Sequence, residues 1–468
     1  MLQQERGFRA AFLYTIAMSI RTIVKRLVPS GVFEQVEPLG HKLEAVFWNV
    51  VYGFPARDLQ VIGVTGTNGK TTTTFLIHKM LVEAGYKAGI MTTVGYGVGG
   101  DVRAQVQHMT NVGPRELMQR LKAMKAEGME WLVLETTSHA LAQHRTWGVP
   151  YSIAVLTNVT HEHLDYHKTF ERYTVAKRAL FTRTQANRKG RQLGIVNADD
   201  PQATLFASAT ENAVLYGIQA GDVQARDVVL SADGVRYTAD AGDERYHIVT
   251  TLPGSFNVYN TLAAICVGRA LGLTKEQVEQ GIKALKGVEG RMTTIDEGQK
   301  FSVVVDFAHT PDSFEKLLKD LRPVVKGKLI VLFGSAGRRD EAKRAVQGEI
   351  AGRYADEVVV TEEDDRDCDG LEIMDQIASG AEKVGKVREQ SLFLVHDRTD
   401  AINFAVRRAT SGDDTVVLLG KGHEKTIERN GPKAAELRHL KQDDSNLDRV
   451  ITDPWDEIGT ARDALRSL

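Results

Sequence analysis

The sequence predicts an α/β protein: a doubly wound P-loop domain at its centre, a Rossmann-like α/β domain after it, and a short helical segment in front. Three observations carry this reading. An apolar, β-branched run from Leu59 to Val64 meets a turn containing Gly66 and Gly69, and a helix-like segment, Thr72 to Ala84, follows. Apolar strand-like runs then alternate with helical periods as far as about Gly290. The alternation restarts near Arg291. The expected division is therefore 1–57 helical, 58–289 P-loop domain and 290–468 second α/β domain.

The bulk properties agree with such a chain. Its 468 residues suit about three domains at roughly 150 residues each. Apolar residues make up 42% and charged residues 26%, an ordinary globular balance, and the net charge of −2 supplies no field for nucleic acid. Cys266 and Cys368 stand outside any CxxC or metal-ligand spacing, which fits free thiols in a reducing cytoplasm.

Residues 1 to 57 read as two helices, roughly 8–28 and 33–52, divided by Pro29-Ser30-Gly31. The apolar stretch Ala10 to Ile20 is shorter than the ~20 residues a bilayer span needs. Its helical spacing, with Phe12, Leu13, Ile16, Ile20, Ile23, Val24 and Leu27, is amphipathic. Residues 8–52 thus suit a membrane surface, a protein partner or packing on their own chain. Strands of the P-loop domain are expected at Val61–Val64, Ala88–Met91, Trp131–Glu135, Ile153–Thr157 and Gly194–Asn197, with helices at Pro114–Glu127 and Phe170–Phe181. Alternating runs between 213 and 252 predict an antiparallel patch on the sheet edge. A helix begins near Asn257. Strands of the second domain are expected at Phe301–Asp306, Lys328–Phe333, Glu357–Thr361, Leu392–Val395 and Thr415–Leu419. Beyond Glu428 periodicity fades, which predicts surface helices and a loose end.

Gly66, Thr67, Asn68, Gly69, Lys70 and Thr71 match the second half of the P-loop pattern, where backbone N–H groups and a helix N-terminus hold phosphate. Val64 stands where the pattern has its first glycine, so the loop is a variant. Lys70 would neutralise phosphate and Thr71 would ligate Mg2+. Ligands of such a sheet lie at the carboxyl ends of its strands. Two strand ends there are rich in chemistry: Glu135-Thr136-Thr137-Ser138-His139, and Thr157-Asn158 running on to His161, His163 and His167. Glu135 suits a second Mg2+ ligand, since a buried carboxylate is costly unless it is paired. The three histidines invite zinc, but without a cysteine their spacing is a weak signal, and one of them touching a nucleotide-bound ion is more economical.

Taken together, Gly66–Thr72, Glu135–Leu141, Thr157-Asn158, His163–His167, Tyr173–Lys177, Gly254–Asn260, Gly290-Arg291-Met292, Asp306–Pro311, Asp397-Arg398 and Gly420–Glu424 resemble the Mur ligase family. Within it the likeness is to the ligases that add the third residue of the peptidoglycan stem. It spans residues 58 to 427.

The resemblance implies ATP- and Mg2+-dependent amide ligation through an acyl phosphate. The substrates would be a peptidyl acceptor of muramoyl-dipeptide type and an amino acid such as meso-diaminopimelate or lysine, and the enzyme a cytoplasmic monomer. It implies that Lys70, Glu135, His163 and Lys177 are catalytic. Thr71, Glu135, His163 and a carbamylated Lys177 would serve metal ions. Gly66, Thr67, Asn68, Gly69, Lys70, Thr71, Thr72, Asn257, Asn260, Arg291, Asp306 and His309 would hold ATP. Thr137, Ser138, Arg145, Arg339, Arg366, Lys421 and Glu424 would meet the substrates.

Departures from the family pattern accompany these matches. Glu162 replaces the usual aspartate before His163. Glu363-Asp364-Asp365-Arg366 stands where diaminopimelate-adding members have Asp-Asn-Pro-Arg. Residues 1–57 read as a helical preface where members carry a UDP-binding α/β domain, which leaves a UDP-linked acceptor open. Rival readings are a folylpolyglutamate-synthetase-like ligase for a non-UDP acceptor, and a nucleotide-binding partner without catalysis.

Overall fold

A computed structural model of the chain describes residues 30–105, 110–231, 234–431 and 450–468. The first strands are β1 (Gln60–Thr65), β2 (Ala88–Met91), β3 (Gly95–Val98), β4 (Asp101–Ala104), β5 (Trp131–Glu135) and β6 (Tyr151–Leu156). They are followed by β7 (Leu193–Asn197), β8 (Asn212–Gly217), β9 (Val223–Ser231), β10 (Gly234–Ala241) and β11 (Glu244–Thr250). All eleven form one sheet in the order β11-β10-β9-β8-β7-β6-β1-β5-β2-β3-β4. From β9 to β2 every neighbouring pair is parallel. Every residue of β1 from Val61 to Thr65 is buried, because helices cover both faces of the parallel part. The antiparallel patch expected between 213 and 252 is present as β9, β10 and β11, although β8 still runs parallel. The β3–β4 hairpin at the other edge escaped the sequence, since its strands are four residues each and hold two glycines.

A second sheet is built from β12 (Thr293–Ile295), β13 (Ser302–Asp306), β14 (Leu329–Phe333), β15 (Glu357–Val360), β16 (Leu392–Leu394) and β17 (Thr415–Leu419), ordered β12-β13-β17-β14-β15-β16. It is parallel except for β12, which runs antiparallel to β13. Apolar clusters line both of its faces. Two short strands, β18 (Thr426–Asn430) and β19 (Val450–Pro454), pair antiparallel beside it.

The end of the chain departs from the surface helices expected there. The helix Glu457–Arg466 forms, but Glu457 is fully buried and meets the equally buried Arg398 at 2.6 Å. Arg398 also donates to the carbonyls of Glu362 and Leu419, and the Trp455 indole N–H donates to Glu457. With all these partners supplied, the last helix is locked into the core.

At the front, a helix spans Ser30–Tyr52, beginning slightly earlier than the sequence suggested and running through Pro38. The expected helix 8–28 lies outside the described residues, as do 432–449 near the far end. Ala45 and Trp48 are buried on the P-loop domain, where the Arg115 guanidinium lies over the Trp48 ring and the Asn49 amide donates to Trp147 O. The opposite face exposes Leu39, Leu43, Phe47 and Val50. Among the described residues, no helix is long and apolar enough to cross a membrane.

Candidate active site

The P-loop joins the carboxyl end of β1 to the helix Lys70–Glu83, whose first-turn N–H groups have no acceptor within the helix. Two glycines are required by what approaches them. A Cβ on Gly66 would come within 1.8 Å of Thr157 Oγ1, and one on Gly69, where φ is 80°, within 2.4 Å of Asn260 Oδ1. The strand-end pair Thr157-Asn158 fastens the loop. Thr67 N–H donates to Asn158 O, Asn68 N–H to Asn158 Oδ1, and the Thr157 hydroxyl to Asn68 O. Thr67 is fixed further by Thr160 and by the Tyr173 hydroxyl at 3.0 Å. Lys70 Nζ folds back onto Thr67 O at 2.6 Å. Thr72, next in the helix, is buried.

Glu135 closes β5 beside this loop and is 1% exposed. Its carboxylate accepts from the Thr71 hydroxyl at 3.0 Å and from both the N–H and the hydroxyl of Thr93. The sequence did not single out Thr93, yet it lies just past the end of β2, where the strand-end rule looks. A hydroxyl and a carboxylate converging in this way form an all-oxygen donor set, which fits a hard divalent cation such as Mg2+.

Lys177 projects from the helix Phe170–Ala186 to the underside of the loop, 1% exposed, with Nζ 2.5 Å from Gly66 O and 4.4 Å from the centre of the Tyr173 ring. Burial and the nearby Lys70 charge push its ammonium well below the usual lysine range. Burial also lowers the His163 imidazole, with Lys177 and Lys70 adding to it, so the ring favours the neutral form that can ligate a cation. Glu162 lies between the domains, 3.6 Å from His163 and 3.1 Å from His309. Burial works against its charge, but the two imidazoles and Lys70 hold its carboxyl well below the ordinary range. His161 is turned away and stacks on Phe170.

The second domain reaches the loop at several points. Arg291 lies over the Phe307 ring, is 3.2 Å from His423 Nδ1, and directs Nη2 towards the Thr71 hydroxyl at 3.4 Å. The Asn68 amide donates to Asp312 at 2.7 Å. Asp306, at the end of β13, accepts from the N–H groups of Met292 and Ala308, so it shapes the Arg291 turn. Asn260 accepts from the Thr73 hydroxyl and donates to Asn257, whose own amide donates to Pro253 O.

Two further groups flank this centre. Asn111 gathers the first: it accepts from the N–H and hydroxyl of Thr137, donates to Glu135 O, and its own carbonyl accepts from Arg145. No sequence signal marked Asn111. Beside it Ser138 pairs with His167 at 3.0 Å, and His139 is driven down to about 2 by burial together with His163, His167, Arg145 and Arg339. The Arg339 charge, from the second domain, is thus felt at His139.

In the second group the fully buried Lys421 Nζ lies 2.7 Å from Glu424 and 2.9 Å from Asp364, and Asp364 also accepts from Glu428 N–H. Arg366 joins through Glu428 at 2.7 Å. Glu363, 8% exposed, abuts Gly420 and has neither a hydrogen bond nor an ion pair among the described residues. Glu362, Asp365 and His396 bring potential ligand atoms within 4.8 Å of one another, but the Glu362 carboxylate is already gripped by Arg429.

The loop with Lys70 can hold and neutralise phosphate, and buried charged groups lie on either side of it. That is the equipment of an ATP-dependent ligase forming a C–N bond. Residues 64–268 match the Mur ligase middle domain and residues 290–422 the Mur ligase, glutamate ligase domain. The chain is 41% identical over 433 residues to a UDP-N-acetylmuramyl-tripeptide synthetase of Roseiflexus sp. (strain RS-1), covering 89% of this chain and 80% of that one. Over 375 residues it is 39% identical to a UDP-N-acetylmuramoyl-L-alanyl-D-glutamate–2,6-diaminopimelate ligase of Syntrophomonas wolfei, covering 80% and 75%. The chain belongs to the Mur ligase family, whose members are ATP- and Mg2+-dependent C–N ligases. Folylpolyglutamate synthase of Mycobacterium tuberculosis superposes with a TM-score of 0.68 over 86% of this chain and 96% of that one, but at 16% identity it shares the fold alone.

Proposed function

We propose that this ligase joins a diamino acid to the carboxylate of a muramoyl-dipeptide-type acceptor in peptidoglycan precursor synthesis, with residues 58–289 binding ATP and 290–468 bringing the amino acid. The observation that carries the reading is the convergence on the P-loop, where Glu135 and Arg291 meet the Thr71 hydroxyl and Lys177 meets Gly66 O, each from a separate element. Identity to the tripeptide synthetase favours this reading over the folylpolyglutamate rival.

Lys70, released from Thr67 O, neutralises the γ-phosphate as it passes to the acceptor carboxylate, and Arg291 follows charge on the same phosphate from the opposite domain. Thr71 and Glu135 would hold Mg2+, which would supply Lewis-acid stabilisation of the phosphate oxygens. Lys177, buried and biased towards the free amine, is suited to take up carbon dioxide as a carbamate, and with His163 it would serve a second ion. Ser138, Thr137 and Arg145 orient the acceptor, and Arg339 serves the amino acid. Lys421, Glu424 and Arg366 frame the amino acid, whose amine attacks the acyl phosphate. Glu363, which has neither a hydrogen bond nor an ion pair among the described residues, supports a substrate that carries an ammonium. The enzyme is read as a cytoplasmic monomer, and the exposed apolar face of Ser30–Tyr52 supports a protein or membrane contact through residues 8–52.

The test is ATP-dependent phosphate release with UDP-MurNAc-L-Ala-D-Glu and meso-diaminopimelate, L-lysine or no amino acid, with product mass read in each reaction. Release with a mass gain for one amino acid is expected. Silence in all reactions from a protein that binds ATP would sink the proposed acceptor.

A further inference from the structure

Arg366, which the family resemblance places where the added amino acid is recognised, is already engaged. Its Nε lies 2.7 Å from Glu428 Oε2, Nη1 donates to Gly337 O at 3.0 Å, and its backbone N–H donates to Glu428 O. Glu428 belongs to β18, beyond the last residue that matches the family's ligase domain. The rest of the group is acidic. Lys421 is shared by Asp364 and Glu424, Asp365 is bonded to His396, and Glu363 is unpaired among the described residues. These residues are continuous with the reaction centre, because His423, two residues from Lys421, contacts Arg291, which reaches Thr71.

We propose that Glu428 is a specificity-determining residue: by occupying Arg366 it leaves the amino-acid pocket negative, so that the pocket takes a side chain ending in an ammonium and rejects one ending in a carboxylate. This rests on the ligase reading above and sharpens it. A distal carboxylate must displace Glu428 from Arg366 and leave a second acid beside it, whereas an ammonium finds Glu363 already without a partner. The sequence alone offered no hint, because Arg366 and Glu428 lie 62 residues apart and meet through tertiary hydrogen bonds.

The experiment compares kcat/KM for L-lysine and for meso-diaminopimelate in the full-length enzyme, in Glu428→Gln and Glu428→Ala, and in each of these combined with Arg366→Ala. The glutamine keeps an acceptor for Arg366 while removing the charge, so it guards against a folding defect in the alanine variant. Wild type should prefer lysine. Both Glu428 variants should move the ratio at least tenfold towards diaminopimelate, chiefly through KM for the amino acid, and that shift should vanish when Arg366 is alanine.

A wild type that prefers diaminopimelate overturns the proposal. So does a ratio unmoved in both variants of an active enzyme, or a shift that persists without Arg366. A wild type silent with both amino acids removes the acceptor and amino-acid reading proposed above, and this proposal falls with it.

Discussion

Replacing Lys177 with alanine isolates the least expected chemistry of the cleft. In the fold, the substitution removes one hydrogen bond to a buried carbonyl, Gly66 O, at a cost of about 1–3 kcal/mol. Part of that is recovered because a buried amine no longer has to be desolvated. In catalysis, if Lys177 carries the proposed carbamate, the loss is that of an anionic oxygen ligand beside the transferring phosphoryl group, about 3–4 kcal/mol, or 10²–10³-fold in rate. The two effects separate in assay. Phosphate release at saturating ATP should fall by that factor while the melting transition moves little, and short carboxylate salts should restore part of the rate. Labelled bicarbonate should give a carbamate signal in wild type that is absent from the variant.

The lysine also sets a pH dependence. Its folded value lies below the free-lysine value, so between the two the unfolded chain holds more protons, and stability from this site falls as pH drops through that interval and levels off below it. An unchanged turnover in Lys177→Ala, with or without bicarbonate, refutes the carbamate argument.

Two other outcomes follow from the same geometry. Glu135→Gln keeps size and hydrogen bonding but removes the charge that faces Thr71, so kcat should drop about 10²–10³-fold and the Mg2+ requirement should rise, as seen in a metal titration of phosphate release. Glu457→Gln leaves the fully buried Arg398 without its counter-charge, and urea denaturation should report a loss of about 3–5 kcal/mol in the transition of the second domain.

What could be read in advance was local. The P-loop announces itself because its glycines, lysine and threonine are contiguous, and β1, β5, β6, β14 and β17 because both faces are buried and their apolar runs are unbroken. Glu135 was legible as a polar residue closing such a run. What stayed hidden was made by distant residues meeting. Asn111 tying Thr137 to Glu135, Glu162 bridging to His309, and Glu428 capturing Arg366 each join elements that no periodicity relates. The burial of Glu457 was hidden for the same reason, since a charged residue in a polar stretch reads as surface until its arginine is located.

The order of strands in the second sheet bears on how the chain is made. β17 lies between β13 and β14 but is the last of the six to be synthesised. β14 ends at residue 333 and β17 at residue 419, so at a ribosomal rate of about 5–20 residues/s the two apolar edges that β17 will join wait unpaired for roughly 4–17 s. The first sheet makes one such insertion, where β5 enters between β1 and β2, but the wait is shorter, since β2 ends at residue 91 and β5 at residue 135. Nascent chains stalled before residue 415 should therefore carry a folded P-loop domain and a second domain that chaperones still recognise.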